Sequence, residues 1–154
     1  MSRVLYRVRL TPEAFGEQIT CLGSQLRAVL AVLRTQMGPV SWYYTDVVTV
    51  GRSDFSGERG LHEIGDIDKF IAATSTVRQF ERGVFLASSA GSPSFRNEPD
   101  TEDMEFADLG DAAVEIRAFD TSYLEVYSRD RNLVNALAKV YKVGVESRSP
   151  APSS

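Results

Sequence analysis

Residues Arg3 to Leu10 alternate with a period of two: Val4, Tyr6, Val8 and Leu10 lie on one side, and Arg3, Arg7 and Arg9, with Leu5, on the other. Successive side chains of a β-strand point to opposite faces, so this run predicts a strand with one face in a core and a polar face outside it. The pattern returns at Ala112 to Phe119 and Ser122 to Ser128, separated by Asp120-Thr121 as the turn of a hairpin. Parallel sheets are covered on both sides and read as continuous apolar runs, whereas strands with charged or tyrosine outward positions need only one covered face. The chain is therefore expected to be α+β, a mostly antiparallel sheet with helices packed on one face.

Three-and-four spacing supplies the helices. Thr11-Pro12-Glu13 is a helix start, with a capping hydroxyl, a first-turn proline and an acid at the positive end of the dipole. Phe15, Ile19, Leu22, Leu26, Val29, Leu30, Leu33 and Met37 then form the stripe of one long amphipathic helix, weakened by Gly16 and Gly23 and stopped by Gly38-Pro39. Trp42-Tyr43-Tyr44 and Val47 to Val50 predict a strand, followed by a flexible glycine-rich segment from Gly51 to Gly60. A second helix is expected from a cap at Asp66 to about Phe80, burying Ile67, Phe70, Ile71, Thr74 and Val77, and then a short buried strand over Gly83 to Ala87. Asp130 caps a last helix with Leu133, Val134, Leu137, Val140 and Tyr141 on its apolar face and Gly144 closing it. The expected order is β-α-β-α-β-β-β-α in a single domain, residues 1–146, with a disordered tail, residues 147–154.

Between Ser88 and Asp111 the periodicity disappears. Small residues come first, followed by Glu98, Asp100, Glu102, Asp103, Glu105, Asp108 and Asp111, punctuated by Met104, Phe106 and Leu109. Connections this long inside a domain are functional or disordered. One reading is a solvated loop; another is a contact surface for a basic partner, with steering charge and apolar anchors together; a third is a carboxylate–metal cluster, although the spacing is not that of a calcium loop.

Composition narrows the function classes. The formal net charge is −4 and no basic stripe is present, which argues against nucleic acid, whose binding draws much of its affinity from phosphate neutralisation. One cysteine, Cys21, excludes an internal disulfide and fits a reducing, cytoplasmic setting; no secretory leader is expected, since Met1-Ser2-Arg3 runs directly into the alternating stretch, and no membrane span, since no apolar run approaches about 18 residues. His62 is the single histidine and no nucleophile signature accompanies it, so the chain is read as a non-enzyme with no metal and no cofactor. Asp66-Ile67-Asp68 has the form of a metal-binding pair, but capping accounts for both acids. Gly51 to Gly60 lacks the Gly-Lys-Ser/Thr ending of a phosphate loop. Ser88 to Ser92 could present amides to an anion without any specific spacing.

A second candidate surface is the outward sheet face, where Arg3, Arg7 and Arg9 would join Glu115, Arg117, Tyr123, Glu125 and Tyr127. Cross-strand ion pairing alone explains such residues, while tyrosine and arginine are also hot-spot types. Trp42, Tyr43 and Tyr44 suit a core, or a contact surface if Trp42 is partly exposed.

The run from Ala113 to Ser128 with its following helix resembles the hairpin–helix ending of small bacterial immunity proteins of polymorphic-toxin systems. The resemblance implies a non-enzymatic inhibitor that binds a cognate secreted toxin, basic at its contact surface, inside the producing cell or its kin. The partner-binding candidates are Glu98, Asp100, Glu102, Asp103, Glu105, Phe106, Asp108, Tyr123, Tyr127 and Trp42. The alternatives are a small-molecule binder or minor enzyme with a pocket between sheet and helices, and self-association through the first helix.

Overall fold

The structure is a computed structural model that describes residues 4–55, 59–89, 91, 93 and 112–149. Its strands are β1 (Leu5–Leu10), β2 (Ser41–Val50), β3 (His62–Gly65), β4 (Gln79–Ser88), β5 (Val114–Phe119), β6 (Tyr123–Ser128) and β7 (Glu146–Arg148). They form one sheet in the order β3-β2-β4-β5-β6-β1-β7, antiparallel at every pairing. The helices are α1 (Pro12–Phe15), α2 (Gly23–Gln36), α3 (Ile67–Thr74) and α4 (Arg131–Tyr141). The fold is α+β, as the alternation requires. Leu26, Val29, Leu30 and Leu33 of α2, Phe70 of α3 and Leu133, Val134 and Leu137 of α4 pack on Val8, Leu10, Phe85, Ile116, Leu124 and Val126, the inward residues of the central strands.

The first helix is two. Gly16, at φ 66°, ends α1 after a single turn, and Cys21 at φ 64° also leaves the helical region, so residues 17–22 are irregular. Ile19, expected on the buried stripe, is 51% exposed. The start of α2 is fixed instead by Gln25, whose side-chain oxygen accepts the Leu22 N–H at 3.0 Å and whose amide donates to the Ile19 carbonyl at 2.9 Å.

Asp66 caps α3, accepting the Lys69 N–H at 2.8 Å. The helix stops at Thr74, well before Phe80. Thr74, Ser75 and Thr76 each turn a hydroxyl back to the carbonyl three residues earlier, at 2.6, 2.6 and 2.8 Å, and Phe80 is already in β4. Side-chain hydroxyls competing for helix carbonyls in this way favour termination. Two short strands escaped the sequence pattern, β3 against β2 and β7 against β1. β7 corrects the expected tail: Ser147 and Arg148 are paired, with Tyr6 and Leu5. Asp130 caps α4 as expected, but left-handed Lys142 (φ 56°) closes it in place of Gly144, and Val140 is 55% exposed. The glycine-rich segment is also anchored, because Phe55 is buried against Tyr44, Phe70, Phe80 and Phe85.

Candidate functional site

Residues between the inward positions of β1, β5 and β6 face away from the helices. Register sets Arg9 and Arg117 on either side of Glu125, and Arg7 and Glu115 on either side of Tyr127. Glu125 accepts from Arg9 Nε at 2.9 Å and from the Tyr127 hydroxyl at 2.7 Å, and lies 3.5 Å from Arg7 Nη1. Arg117 pairs with Glu115, and Arg7 Nη2 reaches Glu146 of β7. The Arg9 guanidinium lies 4.3 Å from the centre of the Tyr123 ring, which stacks on Phe119. Three arginines thus meet three glutamates across four strands.

This face is closed, not open. Glu115 is 0% exposed, and Arg7, Arg117, Glu125 and Tyr127 are buried too. Buried ions persist only when paired and hydrogen-bonded; the ladder pairs each of these charges, while Arg7 Nε has no acceptor among the described residues. Burial pulls the Arg7 pKa down, but Tyr127, Glu146 and Glu125 outweigh it and leave the group raised. Burial, then the charge of Glu125 and the hydrogen bond to it, pushes the Tyr127 phenol well above the usual tyrosine range.

That shift makes a prediction. A phenol that ionises less readily folded than unfolded contributes stability that is complete below the unfolded pKa, near 10, and is lost as pH rises through the folded value. Stability is expected to fall above about pH 10. Tyr127→Phe should be roughly 1.5–3 kcal/mol less stable at pH 7, having lost a hydrogen bond to a charged group, and should show a shallower alkaline decline. Urea denaturation at pH 7 to 11 compares the slopes; identical slopes would exclude Tyr127 as their source.

The other candidate surface lies at one end of the sheet. Ala87 of β4 pairs with Val114 of β5, so these strands are neighbours joined by residues 89–113. A hairpin between such strands needs only about two to five residues. Beside the two roots of this connection is a groove of about 260 Å³, lined by Met37, Pro39 and Val40 of the α2–β2 corner and by Ser89, Ala113, Val114, Ser128, Asp130 and Leu133. The Gly38-Pro39 stop signal marked this corner, but nothing in the sequence marked its pairing with α4.

The predicted partner-binding residues separate. Glu98, Asp100, Glu102, Asp103, Glu105, Phe106 and Asp108 lie outside the described residues, as does Arg3. Tyr123 is partly exposed, at the hairpin end of β6, away from the groove. Tyr127 and Trp42 are both 0% exposed and therefore act inside the fold rather than as contact residues. Trp42 packs on Phe70, and its indole N–H has no hydrogen-bond acceptor among the described residues.

Cys21 is buried, its thiol donating to the Tyr123 carbonyl at 3.3 Å, and burial pushes its pKa up, the opposite of an activated thiolate. His62 stacks on Tyr44. Among the described residues no three His, Cys, Asp or Glu side chains converge as a metal-ion set, and no helix is long and apolar enough to cross a membrane. Comparison with protein-family models, with curated proteins and with solved structures returned no match.

Proposed function

We propose that the chain is a non-enzymatic inhibitor of the immunity type, acting in the cytoplasm of the producing cell by binding a cognate toxin that is basic at its contact surface. The observation that carries the reading is the β4–β5 connection. Residues 97–111 hold seven of the 21 acids and no lysine or arginine, so the acidity of the whole chain, net −4, is concentrated there while the remainder is formally +3. Strand pairing does not need this segment, and the described ends of the connection lie beside a partly apolar groove, so the chain combines charge for steering with apolar surface for anchoring.

The test is direct. The chain is immobilised and offered the producing organism's lysate and secreted proteins at low salt. One basic protein is expected in a one-to-one complex that dissociates as ionic strength rises, its toxic activity blocked by the chain. The triple variant Glu102→Lys, Asp103→Lys, Glu105→Lys should lose at least about 1.4 kcal/mol of binding, a factor of ten, with its melting temperature unchanged. Equal affinity in that variant would remove the segment from the interface.

A small-molecule role is the second reading, favoured only by the groove. At about 260 Å³ it falls below the roughly 300–1,000 Å³ of ordinary ligand pockets. A metabolite panel that raises the melting temperature, with the rise abolished by Val40→Trp, would favour this reading over the inhibitor.

A further inference from the structure

On the outer face of the sheet, charges that face each other across neighbouring strands are opposite in sign. Arg117 on β5 faces Glu125 on β6, which meets Arg7 and Arg9 on β1, and Arg7 in turn meets Glu146 on β7. β7 is the last strand of the sheet, and its three residues are exposed. The Glu146 side chain, although paired with Arg7, keeps 55% of its surface in solvent. Arg148, on the same face two residues along, forms no ion pair among the described residues.

We infer that β7 is a self-association edge whose occupant is the β7 strand of a second copy, added antiparallel about a two-fold axis through Ser147. The sequence Glu146-Ser147-Arg148 is self-complementary in that arrangement. Arg148 of each copy meets Glu146 of the other, Ser147 meets its own counterpart, and opposite charges face each other across the joint. An edge strand presents unpaired backbone donors and acceptors, and charges on it normally repel a second copy. Here the order of the charges reverses that effect. The opposite edge lacks the property: in β3 a two-fold pairing sets Glu63 against Ile64 and His62 against Gly65. The contact is isologous and closes at two copies. Stable complexes bury about 1,200 Å² or more, and two three-residue strands bury less, so the dimer is weak and concentration dependent. This inference does not rest on the inhibitor reading, which concerns the β4–β5 end of the domain.

Sedimentation equilibrium of the full chain from about 10 μM to about 1 mM tests it, because weak contacts of this size are populated only at high concentration. The mass is expected to rise from 17.0 kDa toward twice that value, and to rise less when salt screens the charges. Arg148→Glu and Glu146→Lys should each be monomeric alone and dimeric when mixed, since the mixture restores both opposite-charge pairs. Glu146→Lys also removes a partner of Arg7, so Ser147→Cys supplies an independent measure. Cysteines on the axis, with Cβ atoms about 4.5–5.5 Å apart as in directly opposed pairs, should cross-link under mild oxidation, and should not do so when combined with Arg148→Glu. Monomeric mass throughout, with Ser147→Cys cross-linking no faster than Ser149→Cys, would overturn the inference. So would growth beyond two copies.

Discussion

Replacing Gly23 by alanine is expected to cost about 3 kcal/mol or more, at or beyond the upper end of ordinary overpacking. A Cβ built on Gly23 lies 2.1 Å from the carbonyl oxygen of Val77 and 2.6 Å from that of Thr74. Both are backbone atoms, so no side chain can rotate away. The same residue donates its N–H to the Arg78 carbonyl at 3.2 Å, and Leu22 bridges to Gln79, so the first turn of α2 is pressed against the α3–β4 corner by its own main chain. Relief requires α2 to move away from α3 or its hydrogen bond to the corner to break. For a chain of this size the loss corresponds to roughly 6–12 °C in melting temperature. Gly38→Ala is the control: its Cβ meets nothing within 4 Å, and it should melt close to the parent. Thermal and urea denaturation of the pair measure the difference. Alanine's better helix propensity offsets only about 1 kcal/mol of the clash, so a net Gly23→Ala loss under about 1 kcal/mol would show that the corner gives way easily.

Gly23 also shows how far the fold was legible. Both glycines near the start of the supposed long helix could be priced from propensity, yet neither role could be read. The stripe Phe15, Ile19, Leu22, Leu26 keeps helical spacing whether or not the chain leaves the helix between Gly16 and Leu22, because periodicity records side-chain order and not backbone continuity. Similarly, Val77 and Phe80 continue the spacing of α3, while the stop lies in the hydroxyls of Thr74, Ser75 and Thr76. β3 and β7 have four and three residues, too few to establish a period. Phe55, a single aromatic in a polar, glycine-rich run, carried no pattern and is nonetheless in the core.

For the site, alternation correctly told which residues share the outer sheet face, since the side-chain period of a strand leaves no choice. It could not tell that the face is buried. Charged outward positions suggest solvent, but here the arginines and glutamates pair with one another, across strands at Glu125 and Glu146 and along one strand at Glu115, and Glu146 belongs to a strand that the pattern missed. The same limit applies to Trp42 and Tyr127. Their types suit either an interface or a core, and only packing decides between them.

The network leads to the second large effect, at Glu125. Glu125→Ala is expected to cost about 3–5 kcal/mol, the range for removing one partner of a buried ion pair. Its carboxylate serves Arg7, Arg9 and the Tyr127 hydroxyl together, and the side chain is only 6% exposed. Arg9, with 40% of its side chain exposed, can turn to water; Arg7, with 5%, cannot, and is left with Glu146 on the edge strand as its described carboxylate partner. Glu125→Gln preserves the volume and an acceptor for Tyr127, so it should lose less than alanine, and the gap between the two measures the neutral contacts and shape together, apart from the charge. The charge itself is isolated by the pair Arg7→Met and Glu125→Leu. Each single variant should be strongly destabilised, whereas the double variant should recover part of the loss, because the two buried charges go together while the Tyr127 hydroxyl and Arg9 still lose Glu125. Urea denaturation of the four proteins gives the cycle. A Glu125→Ala loss below about 1 kcal/mol, the value of an exposed pair, would mean that water reaches this face. Recovery in the double variant would assign the network to strand register, since a one-residue slip of β1 against β6 sets Arg7 and Arg9 among apolar neighbours.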